Sequence, residues 1–166
     1  EGFAEARALY DRLSTNEVDP GVVILYGSMY GNTEQLADVI AQSLASAGVE
    51  NIVCHNVSKS DPSEILADIF RYRGLIVGSP TYCGELFTPI ENLLNMVRIR
   101  DVKERLYAAF GSYTWAPAAL KRLRPFAEEM KWESVSEGME LKMADLPSVT
   151  EAAWELGVSM AERLKA

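Results

Sequence analysis

The 166-residue sequence is poor in the side chains from which metal centres and disulfide frameworks are made. It holds one histidine, His55, and two cysteines, Cys54 and Cys83, which lie in different predicted elements and form no C-x-x-C pair. A lone histidine cannot build a metal site, and this cysteine usage makes a reduced, cytoplasmic setting the expectation. No apolar stretch approaches the roughly 20 residues of a membrane span. Positive charge is also scarce, with 16 Lys and Arg against 24 Asp and Glu and a net charge of −8. That balance argues against nucleic acid and anionic membranes as partners, and it is compatible with docking onto a basic protein surface. Several phosphate chemistries lack their signatures. There is no G-x-x-x-x-G-K-[ST] loop, no G-x-G-x-x-G turn, and neither cysteine begins the C-x₅-R of a small phosphatase.

What is present is an alternation of apolar runs and amphipathic segments. Residues 22–27 form a β-branched run, and residues 32–47 carry Leu36, Ile40 and Leu44 on one helical face before a C-capping Gly48. A second short strand over 51–57 precedes Asp61-Pro62-Ser63-Glu64, an N-cap with Pro at N1, which starts a helix ending before Gly74. Leu75-Ile76-Val77-Gly78 is continuous and apolar, as expected of a strand buried on both faces. An irregular segment 79–87, a helix from Pro89 to about Val97, a strand over 106–111 and a loop over 112–116 follow. The remaining elements are a helix over 117–130 interrupted at Pro125, a fifth strand within 133–143, and a final helix capped by Ser148. Five strands alternating with five helices call for a three-layer α/β fold, a parallel sheet of order 2-1-3-4-5 with helices on both faces. In that order a ligand site lies at the carboxyl ends of strands 1, 3 and 4.

The three unusual loops of the sequence fall at those three ends. The first, Ser28-Met29-Tyr30-Gly31-Asn32-Thr33, joins a strand to a helix N-terminus, where backbone N–H groups converge on an anion. Ser28, Asn32 and Thr33 add neutral donors, and the loop has no Lys or Arg, which suits a singly phosphorylated mononucleotide. The second, Ser79-Pro80-Thr81-Tyr82-Cys83-Gly84, offers a ring at Tyr82 and a close backbone approach at Gly84. The third, Ser112-Tyr113-Thr114-Trp115-Ala116, places two large aromatics at a strand end. Aromatics from two loops beside a phosphate cradle point to a planar, phosphorylated ligand, and flavin mononucleotide (FMN) has that form.

Together, Y-G-S-M-Y-G-N-T, G-S-P-T-Y-x-G-x-L-F-x-P and G-S-Y-x-W resemble the flavodoxin-like domain of the A-type flavoproteins, the flavo-diiron proteins that act as rubredoxin:oxygen or nitric oxide oxidoreductases. The resemblance runs from about Gly21 to the C-terminus. It implies a flavodoxin-like fold, FMN bound by the three loops, and electron transfer rather than substrate chemistry in this chain. It further implies electrons arriving from rubredoxin or a flavin/rubredoxin reductase and passing to a diiron site in a metallo-β-lactamase-like domain. In that family a head-to-tail homodimer brings flavin and iron together. Residues 1–20, with Phe3, Ala6, Tyr10 and Leu13 at helical spacing and a breaker-rich stretch behind them, then correspond to the tail and linker of a preceding domain. The competing reading is a free-standing flavodoxin shuttle, which would begin directly with its first strand. A signalling receiver domain would need acids after strand 1, where Gly27-Ser28 stand.

One departure from the family lies in the third loop. Thr114 stands where the family usually has glycine, so a left-handed conformation there would be strained. Ala116, Pro117 and Ala118 replace a run of Ser and Gly. Among residues that invite functional readings, Cys54 is expected in the strand core, His55 in a structural or solvent-facing role, and Trp132 and Trp154 in packing. Cys83 has no basic neighbour in sequence to activate it.

Overall fold

A computed structural model describes Ala4, Arg7, Asp11, residues 17–143 and residues 145–166. The helical pattern of Phe3, Ala6, Tyr10 and Leu13 lies outside the described residues. The sheet strands are β1 (Asp19–Tyr26), β2 (Ile52–Asn56), β3 (Tyr72–Tyr82), β4 (Glu85–Leu86), β5 (Leu106–Tyr113), β6 (Glu133–Ser134) and β7 (Met139–Lys142). The helices are α1 (Asn32–Ser46), α2 (Pro62–Arg71), α3 (Thr88–Ile99), α4 (Ala119–Met130) and α5 (Thr150–Lys165). The strands run in the order β2-β1-β3-β5-β6, with β7 also pairing β5, and every pairing is parallel except the short β3–β4 ladder. This is the expected 2-1-3-4-5 sheet with its fifth strand in two pieces. Gly138, at φ +74 with the Ala109 carbonyl where a Cβ would stand, makes the break between them.

Alternation along the central strands divides the core between two faces. Val23, Leu25, Leu75, Val77, Tyr107 and Ala109 pack against α2, α3 and α4. Val22, Ile24, Ile76, Leu106, Ala108 and Phe110 pack against α1 and α5. Each of the Val, Leu, Ile and Phe side chains contributes about 1.5–3 kcal/mol by leaving water, so the three central strands and the positions of their carboxyl ends are firmly held. The helix ends follow local rules. Asp61 caps α2 by accepting the Ser63 N–H at 2.7 Å. Behind α1, the N–H groups of Gly48 and Val49 return to the carbonyls of Ala45 and Leu44, a Schellman closure.

Several expectations need correction. β3 does not end at Gly78 but continues through Ser79, Pro80 and Thr81 to Tyr82, because Gly78, Ser79 and Pro80 stay in register with Phe110, Gly111 and Ser112 of β5. Pro125 lies inside an uninterrupted α4, which begins at Ala119 rather than Pro117. Ser148 does not cap α5; it sits in a 3₁₀ turn, Leu146–Ser148, and its hydroxyl donates to the Asp145 carbonyl. Cys54 is exposed, because β2 is the sheet edge. Trp154 is partly exposed, whereas Trp132 is packed and donates to the Val102 carbonyl. For His55 the structural alternative of the expectation holds: it is buried, its Nε2 lying 2.7 Å from Asp68.

Candidate functional site

A cavity of about 300 Å³ opens where β1, β3 and β5 end. Its lining is Met29, Tyr30, Asn32 and Thr33 from the first loop and α1, Pro80 and Thr81 from β3, Ser112, Tyr113 and Thr114 at the end of β5, and Met143 after β7. This volume is at the low end of the ~300–1,000 Å³ range of small-molecule sites. The three expected loops therefore converge. Among the described residues, no ionisable acid or base other than tyrosine lines the cavity, although the chain carries a net charge of −8.

Two helix N-termini border this region, and they are in different states. The first-turn N–H groups of any helix lack intrahelical acceptors. At α4 three of them have acceptors: Thr81 Oγ1 accepts from the N–H groups of Ala118 and Ala119, each at 3.1 Å, and Glu140 Oε1 accepts from Leu120 at 2.9 Å. At α1, among the described residues, no side chain caps the helix. Its N-cap is Gly31 at φ +88, a backbone conformation that glycine adopts without strain, and no protein atom stands where a Cβ would be. A change of helical hand at the head of a helix turns successive N–H groups toward one concavity. Glu34 in the first turn does not line the cavity; it accepts a hydrogen bond from the Tyr26 hydroxyl at 3.0 Å. Burial, together with this carboxylate, pushes the Tyr26 hydroxyl up to about 12. The open N-terminus of α1 thus lies beside a neutral polar wall.

The remaining predicted residues support the cavity or stand around it. The Ser28 hydroxyl accepts the Gly31 N–H at 3.0 Å and shapes the turn. Ser79 is buried, accepting the Phe87 N–H at 3.0 Å and donating to the Pro80 carbonyl at 2.9 Å, so it ties the second loop to the start of α3. Tyr82, Cys83, Gly84 and Glu85 form a two-residue hairpin between β3 and β4, with Cys83 at φ +50 and Gly84 at φ +76. Positive φ at both central positions is the turn geometry that matches strand twist. Gly84 thus supplies the conformation that the turn requires. Glu85 pairs with Arg122 at the surface. Trp115 is 94% exposed, and Ala116 is exposed beside it.

Thr114 is not among the non-glycine residues of positive φ, so the strain feared there does not arise. Among the described residues that line the cavity, the non-glycine one of positive φ is Met143, at φ +55, whose N–H donates to the Tyr113 carbonyl at 2.7 Å. Sequence reasoning missed Met143; its position just beyond an apolar strand end was the one available signal. Thr33 and Ser112 meet across the cavity floor, with hydroxyl oxygens 2.8 Å apart.

Comparison with known proteins agrees with this geometry. The flavodoxin family model matches residues 24–157. A diflavin flavoprotein A of Nostoc sp. is 31% identical over 147 residues, covering 89% of this chain and 25% of that protein. An anaerobic nitric oxide reductase flavorubredoxin of Vibrio vulnificus is 37% identical over 111 residues, covering 66% of this chain and 22% of that protein. Among solved structures, rubredoxin oxygen:oxidoreductase of Desulfovibrio gigas superposes with a TM-score of 0.89 at 24% identity, over 94% of this chain and 39% of that one. The Flv1 flavodiiron core of Synechocystis sp. superposes with a TM-score of 0.81 at 28% identity, over 99% of this chain and 41% of that one. The chain spans about a quarter of the length of the curated relatives it matches. Within that span it belongs to the flavodoxin family, as a flavin-binding domain whose relatives include diflavin flavoproteins and flavorubredoxins.

Proposed function

We propose that this chain binds one FMN in the cavity at the ends of β1, β3 and β5 and serves as an electron-transfer domain. The observation that carries the reading is the pairing of an uncapped α1 N-terminus with a cavity wall free of carboxylates and strong bases. In it, the backbone N–H groups of α1 with the side chains of Asn32 and Thr33 hold the phosphate. Several hydrogen bonds to an anion, each worth about 1.5–3 kcal/mol, suffice without a cation. Met29, Tyr30, Pro80, Tyr113 and Met143 give the other end of the cavity an apolar and aromatic surface suited to a planar ring. Tyr82 and Trp115, exposed on the hairpin and the third loop, are the rings available to cover it. When bound, the isoalloxazine supplies the redox chemistry, accepting and releasing electrons. The chain's own residues bind it, orient it and set the polarity around it.

The longer relatives supply the setting of this reading. Residues 1–20 are the tail and linker of a preceding metallo-β-lactamase-like diiron domain, the electron acceptor. Rubredoxin or a flavin/rubredoxin reductase is the donor, the full protein is a cytoplasmic head-to-tail homodimer, and oxygen or nitric oxide is reduced at the iron. The name of the Vibrio flavorubredoxin supports the rubredoxin and nitric oxide parts of this setting, and the Flv1 flavodiiron core, of which this chain covers 41%, supports a diiron part in a longer protein. A second reading, a free-standing flavodoxin shuttle, draws on an archaeal flavodoxin that this chain covers over 99% of its length, with a TM-score of 0.73. Titration of the purified chain with FMN tests the common core of both. A visible flavin spectrum at one equivalent and a calorimetric binding isotherm are expected, with FAD binding poorly. Absence of both signals overturns the reading.

A further inference from the structure

We propose that Ser112 is a positioning residue that fixes the direction of the Thr33 hydroxyl proton, so that Thr33 donates to a phosphate monoester at the N-terminus of α1. The inference rests on the flavin-site reading above and concerns how its phosphate end works.

Thr33 is 1% exposed and Ser112 6%, both line the cavity, and their oxygens stand 2.8 Å apart. Neither is free to wander. Thr33 lies in the first turn of α1, and Ser112 lies in β5 with Pro80 of β3 in register on one side and Leu141 of β7 on the other. A hydroxyl has one proton and two lone pairs. The pair therefore has two arrangements. When Thr33 donates to Ser112, its proton is consumed and its lone pairs face an incoming anion. When Ser112 donates to Thr33, the Thr33 proton is released for the anion. A phosphate oxygen that only accepts selects the second arrangement. The chain Ser112 to Thr33 to phosphate is then cooperative, since each bond polarises the next.

No ammonium or guanidinium lines the cavity among the described residues, so hydroxyl orientation is a direct means of making this wall electropositive. The pair also joins the first loop to the third, because Ser112 precedes the Tyr113-Thr114-Trp115 segment. Phosphate binding thereby tightens the contact between two of the three loops.

The test is a double-mutant cycle read with two ligands. FMN and riboflavin share the ring, and riboflavin has no phosphate. Each is titrated into the unmodified chain, Thr33→Val, Ser112→Ala and the double variant. Thr33→Val is expected to weaken FMN binding about 10-fold or more, and Ser112→Ala about 3- to 10-fold. The double variant is expected within about twofold of Thr33→Val alone, because Ser112 has nothing to orient once the hydroxyl is gone. Riboflavin affinity is expected to move by less than about twofold throughout, by the same reasoning. Losses that add in the double variant mean that Ser112 acts on the ligand itself and overturn the proposal. Equal losses for FMN and riboflavin, or no loss in Ser112→Ala, overturn it as well. An unmodified chain that binds neither ligand overturns the flavin reading instead, which separates the two failures.

Discussion

At the scale of single residues, the clearest consequence of the structure is a pH dependence centred on Tyr26. Its ring is 9% exposed at the end of β1, and its hydroxyl is tied to Glu34 in the first turn of α1. Burial first, and then the Glu34 hydrogen bond and the charges of Glu34 and Asp38, push its pKa from 10.0 up to about 12. An unfolded tyrosine loses its proton near pH 10 while the folded one keeps it, so the unfolded state binds fewer protons between those values. The contribution is complete below pH ~10 and is lost as pH rises through ~12. Burial raises Tyr107 in the same direction, so the comparison that isolates Tyr26 is between the chain and Tyr26→Phe. Urea unfolding followed across pH 8 to 12 (roughly the window set by the raised pKa) is expected to show the phenylalanine variant about 1 kcal/mol less stable at the lower end. It is also expected to show a flatter alkaline decline. Parallel declines in the two proteins would mean that Tyr26 does not hold its proton more tightly when folded. Residues were legible where chemistry and chain position coincided. Asn32 and Thr33 could be placed because a strand, a turn and a helix start are adjacent in sequence. Met143 could not, because only the sheet brings the end of β7 beside Tyr113.

At the scale of elements, side chains from two strands, Thr81 of β3 and Glu140 of β7, cap the head of α4. Thr81 sits near the end of β3, and its hydroxyl oxygen accepts both the Ala118 and Ala119 N–H groups. The third loop therefore depends on the second. Thr81→Val keeps the shape and the strand preference while removing both bonds. The expected cost is about 1 kcal/mol, in the range of a lost N-cap, and a fall of about 2–4 °C in the flavin-free melting temperature for a chain of this length. An unchanged midpoint by calorimetry would show that water caps α4 as well as Thr81 does. The tie also explains what the sequence hid at this level. Ser79-Pro80-Thr81-Tyr82 has the polar residues and proline of a loop, yet it runs on as strand because β5 holds it in register and because the hairpin at Cys83 and Gly84 gives it a partner in β4. Leu75 to Gly78, Leu106 to Gly111 and α1 were legible because their apolar periodicity reports burial directly. The start of α5 was misread because Ser148 matches a cap in type, but its N–H and its hydroxyl both donate to the Asp145 carbonyl and hold it in a 3₁₀ turn. Cys54 misled similarly, since an apolar-looking strand does not announce that it lies at a sheet edge.

At the scale of the whole molecule, the proposed electron carriage is a role distinct from catalysis at iron. The sequence contains a single histidine, and that side chain is buried against Asp68. Among the described residues no group of three or more His, Cys, Asp and Glu is placed to hold a metal. A diiron site needs several imidazole and carboxylate ligands converging on one spot. The flavin cavity does not supply them, since its polar lining is hydroxyl and amide. After incubation with ferrous iron and desalting, metal analysis is therefore expected to find no stoichiometric iron. With FMN loaded and a rubredoxin and its reductase supplying electrons, the flavin absorbance is expected to bleach and recover. Oxygen uptake is expected to stay at the slow rate of direct flavin oxidation, with hydrogen peroxide and superoxide as products. Addition of superoxide dismutase and catalase then returns part of the consumed oxygen, which complete reduction to water would not allow. Two irons per chain with full reduction to water would overturn the assignment of this chain as the flavin half of a longer reductase. Bleaching by the reductase system without any uptake of iron is the behaviour that an acidic, flavin-carrying domain of this construction should show.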